Sequence, residues 1–179
     1  MHGRLVIVTG SPGVGKSTLA RRLAMDWPGE AALHMHSDDI WAWFAKGHIP
    51  PWKPESRDQN MIVMRAMAAG AVSLAQGYPV FLDGVVGPWF VPVFADAARG
   101  AGVPFDYMVL RPDRATALAR GTGREGHPMR DEQVIGAMWD QFADLAAFER
   151  HVLDTTGLDL AASVALACEA LGSGQLRVS

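Results

Sequence analysis

Cysteine is nearly absent from this 179-residue sequence. Cys168 stands alone, so no internal disulfide can form. That fits a reducing compartment and leads us to expect a cytoplasmic protein. Cys168 lies in an Ala- and Leu-rich helical pattern, where it reads as a small core residue. Long apolar runs are missing too, and none approaches the roughly 18 residues of a membrane span. The apolar stretch at 5–8 is too short for the core of a secretory signal. Positive charge is sparse. Lys and Arg total 16 against 19 acidic residues, for a net charge of −3, and no more than two basic residues adjoin anywhere. A protein gripping a long nucleic acid shows a basic face, so a polynucleotide is not expected as the main partner. Repeats, low-complexity tracts and linkers are also lacking. The remaining composition, 49% hydrophobic and 20% charged, is that of one globular domain over 1–179 with a substantial core.

The most informative content is a run of eight residues. Gly10-Ser11-Pro12-Gly13-Val14-Gly15-Lys16-Ser17 fits G-x-x-x-x-G-K-S/T. It follows an apolar, β-branched strand pattern at 5–9 and precedes a helical pattern at 16–25. That context marks a phosphate-binding loop rather than a chance glycine turn. Glycines permit backbone conformations closed to other residues and let main-chain N–H groups approach an anion. The helix N-terminus adds partial positive charge. Lys16 is suited to the β- and γ-phosphates, and the Ser17 hydroxyl to Mg2+; Thr18 completes the nucleotide-binding set.

Strand and helix patterns alternate along the rest of the chain. Further strands are expected at 32–36, 80–84, 107–110 and 151–154. Further helices are expected at 40–44, 55–76, 89–99, 112–120, from Asp131 onward, and at 159–171, with a frayed tail over 172–179. Strands separated by helices imply a parallel sheet covered on both faces, with ligands at the carboxyl ends of its strands. The fold class expected is therefore α/β: a three-layer α/β/α architecture on a parallel five-stranded sheet. Its topology should gather residues 10–18, 37–44, 83–89 and 155–157 around one cleft.

Each of those turns offers chemistry. Asp83 ends an apolar strand and suits magnesium beside Ser17. Asp38, after the second strand, is the candidate general base for an attacking hydroxyl, with Asp39 the alternative and a helix cap its simpler role. Gly84 and Gly87 suit a close approach to substrate or a plain turn. Arg120 and Arg124 flank a Gly/Arg/His/Pro loop at 122–129 that reads as a lid over the transferring phosphoryl group, with Arg130 just beyond. Thr155, Thr156 and Gly157 form the expected base-contacting turn. Four of the six tryptophans, with Phe44 and Phe90, fall in segments assigned to the acceptor side. They suit either an acceptor pocket or a small local core. Arg57, Asp58 and Asn60 could add polar contacts there.

Taken together, residues 10–18, Ser37-Asp38-Asp39, Phe81-Leu82-Asp83-Gly84, Arg120-x-x-x-Arg124 and Asp154-Thr155-Thr156-Gly157 resemble the small P-loop kinase group. The look is similar to chloramphenicol phosphotransferase-like, zeta-toxin-like and gluconate- or shikimate-kinase-like proteins. The resemblance implies ATP and Mg2+ as cofactors, Asp38 as base, and Arg120 and Arg124 as lid arginines. It also implies a small-molecule hydroxyl, sugar-like or antibiotic-like, as acceptor, with the chain a monomer or homodimer. Nucleoside monophosphate kinases usually carry an arginine soon after the Asp-Gly of the third strand. Here Val85-Val86-Gly87-Pro88-Trp89 follows, so a nucleotide, nucleoside or nucleic-acid-end kinase is the alternative rather than the first choice. A nucleotide-dependent switch with slow hydrolysis is the other.

Overall fold

Leu5, Val6, Ile7 and Val8 are all fully buried, which only a central strand covered on both faces allows. In the computed structural model, which describes residues 3–123 and 130–178, they form β1 (Arg4–Thr9). β1 pairs in parallel with β3 (Pro79–Asp83) on one side and with β4 (Phe105–Leu110) on the other. β2 (Leu33–His36) lies outside β3, and the two-residue β5 (Val152–Leu153) outside β4. The order is β2-β3-β1-β4-β5, the parallel five-stranded sheet expected.

Alternation along the strands sorts the core into two layers. Leu5, Ile7, Val80, Leu82, Tyr107 and Val109 face α3 (Arg57–Ala75) and α4 (Val91–Gly100). Val6, Val8, Phe81, Met108 and Leu110 face α1 (Lys16–Asp26) and α7 (Leu160–Ser173). The result is the three-layer α/β/α arrangement. α6 (Glu132–Asp140) starts directly after Asp131 as expected, whereas α5 (Arg114–Thr122) starts two residues later than the expected 112, with Asp113 as its N-cap. Asp113 accepts from Thr116 N, and Asp131 from Gln133 N and Val134 N. Asp159 caps α7 in the same way, accepting from Ala162 N.

Several expectations need correction. The short helix after β2 is α2 (Ser37–Trp41), which starts at Ser37 rather than Ile40. Asp38 and Asp39 therefore lie inside its first turn; the N-cap is His36, so Asp39 is not the cap. The helix expected from Trp89 begins with a 3-10 turn, Pro88–Phe90, and becomes α4 at Val91. Cys168, expected in the core, is exposed on α7.

The tail does not fray over its described length. Leu176 is fully buried, its carbonyl accepts from Tyr107 N at 2.9 Å, and Val178 N donates to Phe105 O at 3.0 Å. The cause lies in β5, which covers only Val109 and Leu110 and leaves the lower edge of β4 open. The buried Asp106 on that edge needs positive partners, and Arg177 (2.9 Å) and Arg4 supply them.

Candidate active site

The loop after β1 has the backbone its glycines were expected to permit. Gly10, Gly13 and Gly15 sit at φ values of 138°, 85° and 94°. Gly15 is the N-cap of α1, with no side-chain cap and no acid in the first turn, so the first N–H groups face outward for an anion. Gly13 is required for a second reason. A methyl there would lie 2.5 Å from Gly121 Cα, because the end of α5 crosses directly over the loop. Lys16 Nζ donates to Ser11 O at 2.8 Å. Ser11 Oγ is buried with no hydrogen-bond partner, a polar atom that a phosphate oxygen would satisfy.

Asp83 is the hub of the site. It is fully buried and takes hydrogen bonds on both oxygens. Ser17 Oγ donates to Oδ2 at 2.5 Å, His34 Nε2 lies 2.6 Å from Oδ1, and His36 Nδ1 lies 2.9 Å from Oδ2. The other nitrogen of His36, Nε2, is 3.4 Å from Asp38 Oδ2. His36 sits between two carboxylates because β2 pairs with β3 in a register that sets it beside Asp83. Asp38 first and Asp83 second favour its protonated form, outweigh the opposing effect of burial, and raise its pKa to about 10. Asp38 is held below the usual carboxylate range, chiefly by His36, with burial opposing and Lys16 assisting. For Asp83 burial is the strongest influence and pushes upward. The bonds from His36 and Ser17, with smaller help from His34, carry it below the ordinary value all the same.

Neither histidine featured in the sequence reading. The available signal was the alternation His34-x-His36 on a strand, which puts both rings on one face. No cluster of three or more His, Cys, Asp or Glu fit to hold a metal occurs among the described residues. A cation here would rely on the Ser17 hydroxyl, the Asp83 carboxylate, water and phosphate oxygens. That hard, oxygen-only donor set suits magnesium.

Across the loop, a cleft of about 230 Å³ is lined by Val14, Thr18, Leu110, Arg120, Thr155 and Leu158, among others. Thr155 is buried, and its Oγ1 has no partner. Thr156 and Gly157 were expected beside it but do not line this cleft. Thr156 instead locks the turn, accepting from Asp113 N at 2.7 Å and donating its own N–H to Asp154 Oδ1 at 2.8 Å. Gly157 supplies the positive φ of 67° that the turn needs. Arg120 stands on the cleft wall, its Nη2 3.4 Å from Leu158 O. Arg124, with the rest of 124–129, lies outside the described residues. Arg130 donates to Thr122 O at 3.1 Å.

The side expected from the sequence to take the acceptor is more open. A methyl on Gly84 would collide with Ser37 Oγ, and one on Gly87 with the indole of Trp89. These two glycines therefore make room for neighbouring side chains. Between them, Val86 is pinned by Thr9 Oγ1 and by the Tyr107 hydroxyl at 2.7 Å. Trp41 stacks on Phe44 with ring centres 6.1 Å apart, and His48 closes the group. Trp43, Trp52 and Trp89 are 76%, 51% and 50% exposed. Asn60 uses its amide nitrogen on Pro51 O and Ser56 Oγ, and Gln59 brackets Ile49, so the proline-rich loop is tied to α3.

Residues 5–149 match the family model described as AAA domain. No curated protein matches the chain. Among solved structures, a gluconokinase from Sinorhizobium meliloti 1021 superposes with a TM-score of 0.69 at 15% identity, covering 96% of this chain and 93% of that one. A tunicamycin resistance protein from Deinococcus radiodurans gives 0.63 at 15% identity, covering 99% of both chains. An APS kinase from Mycobacterium tuberculosis, in complex with AMPPNP and APS, gives 0.68 at 16% identity, covering 96% of this chain and 98% of that one.

Proposed function

The chain belongs to the AAA domain family, and we propose that it is a small P-loop kinase that moves the γ-phosphoryl group of ATP, with Mg2+, to a hydroxyl of a small molecule. The carrying observation is the line Ser17–Asp83–His36–Asp38 running from the phosphate loop to an acid that also feels the Lys16 charge. An acid at the end of the second strand can orient an acceptor hydroxyl, which favours a kinase over a hydrolytic switch.

In this reading the main-chain N–H groups of residues 10–18 grip the phosphates, with Lys16 on the β- and γ-oxygens. Ser17 and Asp83 would hold magnesium, which when bound supplies positive charge where charge builds on the transferring group. The Asp38 side chain is 63% exposed, where an incoming hydroxyl can reach it. Its lowered pKa makes it a better orienting acceptor of a hydrogen bond than a strong base. That is sufficient for a loose transition state, where the hydroxyl proton leaves late. Thr155 faces the nucleotide base. Arg120, on the cleft wall, and Arg124 are the arginines that would place positive charge on the transferring phosphoryl group.

The exposed indoles on the acceptor side support a sugar-like or antibiotic-like alcohol. The gluconokinase and tunicamycin resistance likenesses point the same way. No described helix is long and apolar enough to cross a membrane. We place the protein in the cytoplasm, as monomer or homodimer. The test is ADP release measured against a panel of sugars, nucleosides and aminoglycosides. Acceptor-dependent release supports the kinase. Release at one basal rate, whatever alcohol is offered, overturns it in favour of a switch.

A further inference from the structure

Asp38 has little of its own to hold it in place. It lies in the first turn of a five-residue helix, mostly exposed, and Ser37 Oγ reaches its Oδ1 only at 3.4 Å. His36 also contacts its carboxylate, through Nε2 at 3.4 Å. His36 is anchored in turn, since Nδ1 lies 2.9 Å from Oδ2 of the fully buried Asp83. That same oxygen accepts from Ser17, the first-turn hydroxyl of the phosphate-binding helix, while His34 engages Oδ1.

We infer that His36 is a positioning residue: its ring ties the exposed Asp38 carboxylate to the buried Asp83–Ser17 pair, so that acceptor and phosphoryl group meet at a fixed separation. This rests on the kinase reading above. The ring suits the task because its two nitrogens point in opposite directions from a rigid plane, which spans two carboxylates with little freedom left to lose. His34 engages the other Asp83 oxygen, Oδ1, and steadies the hub.

The test uses the full chain and two kinds of readout. In nucleotide-free protein, ¹⁵N–¹H spectra of the histidine rings are compared with and without Asp38→Asn. The His36 Nε2 resonance should move and those of His34 should stay. An unmoved His36 ring overturns the inference. In turnover, His36→Asn keeps an amide donor where Nδ1 lies and removes the reach to Asp38. Its acceptor-dependent kcat should fall roughly 10- to 100-fold, the cost of a slightly misplaced group. Acceptor KM and the calorimetric Kd for Mg-ATP should stay near wild type. His36→Gln, which keeps a donor where Nε2 lies, should recover part of kcat and covers the case in which the Asn variant folds poorly. In an Asp38→Asn background, His36→Asn should cost nothing further; additive losses overturn the inference. Should the wild-type protein transfer phosphate to no alcohol, the kinase reading fails by itself, and the ring spectra still decide whether His36 holds Asp38.

Discussion

On the phosphate side of the cleft the main chain shapes the proposed site, through three glycines at positive φ, a helix start left uncapped, and a loop clamped beneath the end of α5. On the side proposed for the acceptor it is side chains that stand open: Trp43, Trp52 and Trp89 keep half or more of their surface in solvent. A backbone cradle is specified by a few conformational demands and serves any ligand with a phosphate tail. An open set of side chains on loops can change without disturbing the core, which makes it the proposed seat of acceptor identity. Removing Lys16 should show the contrast most strongly. Lys16→Ala should lower transfer by roughly 10³-fold and weaken Mg-ATP, because a preorganised charge on the phosphates is lost. Coupled ADP release and calorimetry read both, and a variant that keeps full nucleotide affinity would mean that the cradle is not the grip.

Asp38 stands at the boundary, and its replacement sharpens the comparison. Asp38→Asn should reduce acceptor-dependent turnover by roughly 10²-fold, at the low end for a general base because the native carboxylate is already a weak one. Mg-ATP affinity should be nearly unchanged by calorimetry. A loss of nucleotide affinity as large as the loss of turnover would move Asp38 to the phosphate side.

The two regions also differ in how far they could be read from sequence. The phosphate loop was legible because glycine spacing encodes backbone shape directly, and the Leu5–Val8 run because full burial leaves no polar face to hide. Asp83 at the end of β3 and the caps at Asp131 and Asp159 were legible by the same local logic, while Asp113, expected inside the first turn of α5, turned out to be its N-cap. The His34–Asp83–His36 contacts were not. They depend on which strand lies beside β3 and in what register, and a single sequence shows neither. Thr155 and Thr156 differ only in which way a turn aims each side chain. The ordered tail follows from the brevity of β5, which left an edge for Leu176 and Arg177 to fill. By sequence Gly84 and Gly87 suit either a close substrate approach or a plain turn, and the partners that need their space, Ser37 and Trp89, are identified only once the loops are folded.

A smaller effect decides whether the exposed indoles bind or merely pack. Trp43→Ala and Trp52→Ala should each raise the acceptor KM by up to about tenfold, as expected for one aromatic contact with a ring or flat group. The unfolding free energy should change by about 1 kcal/mol or less for Trp43, which is three-quarters exposed, and by more for the half-buried Trp52. A clear drop in stability with unchanged KM would turn the acceptor side into a local core and remove the contrast.

The smallest expected effect concerns the link between the regions. His36 is raised from 6.5 to about 10 in the folded protein by Asp38 and Asp83. Below pH 6.5 the ring is protonated whether the chain is folded or not, and the stabilisation it brings is complete. Above 6.5 the unfolded chain releases its proton while the folded chain retains it, so that stabilisation declines and is gone as the pH passes about 10. At the acid end the two carboxylates, both lowered from 3.8, withdraw their share as the pH falls below that value. The difference in Tm between wild type and His36→Gln, in metal- and nucleotide-free buffer, should therefore be largest between about pH 4 and 6.5 and shrink steadily toward pH 10. The ring is partly solvated, so the difference should amount to no more than a few degrees. A difference that stays constant from pH 6 to 10 would mean that the ring carries no charge between the two carboxylates, and that the two sides of the cleft are joined by packing rather than by an ion pair.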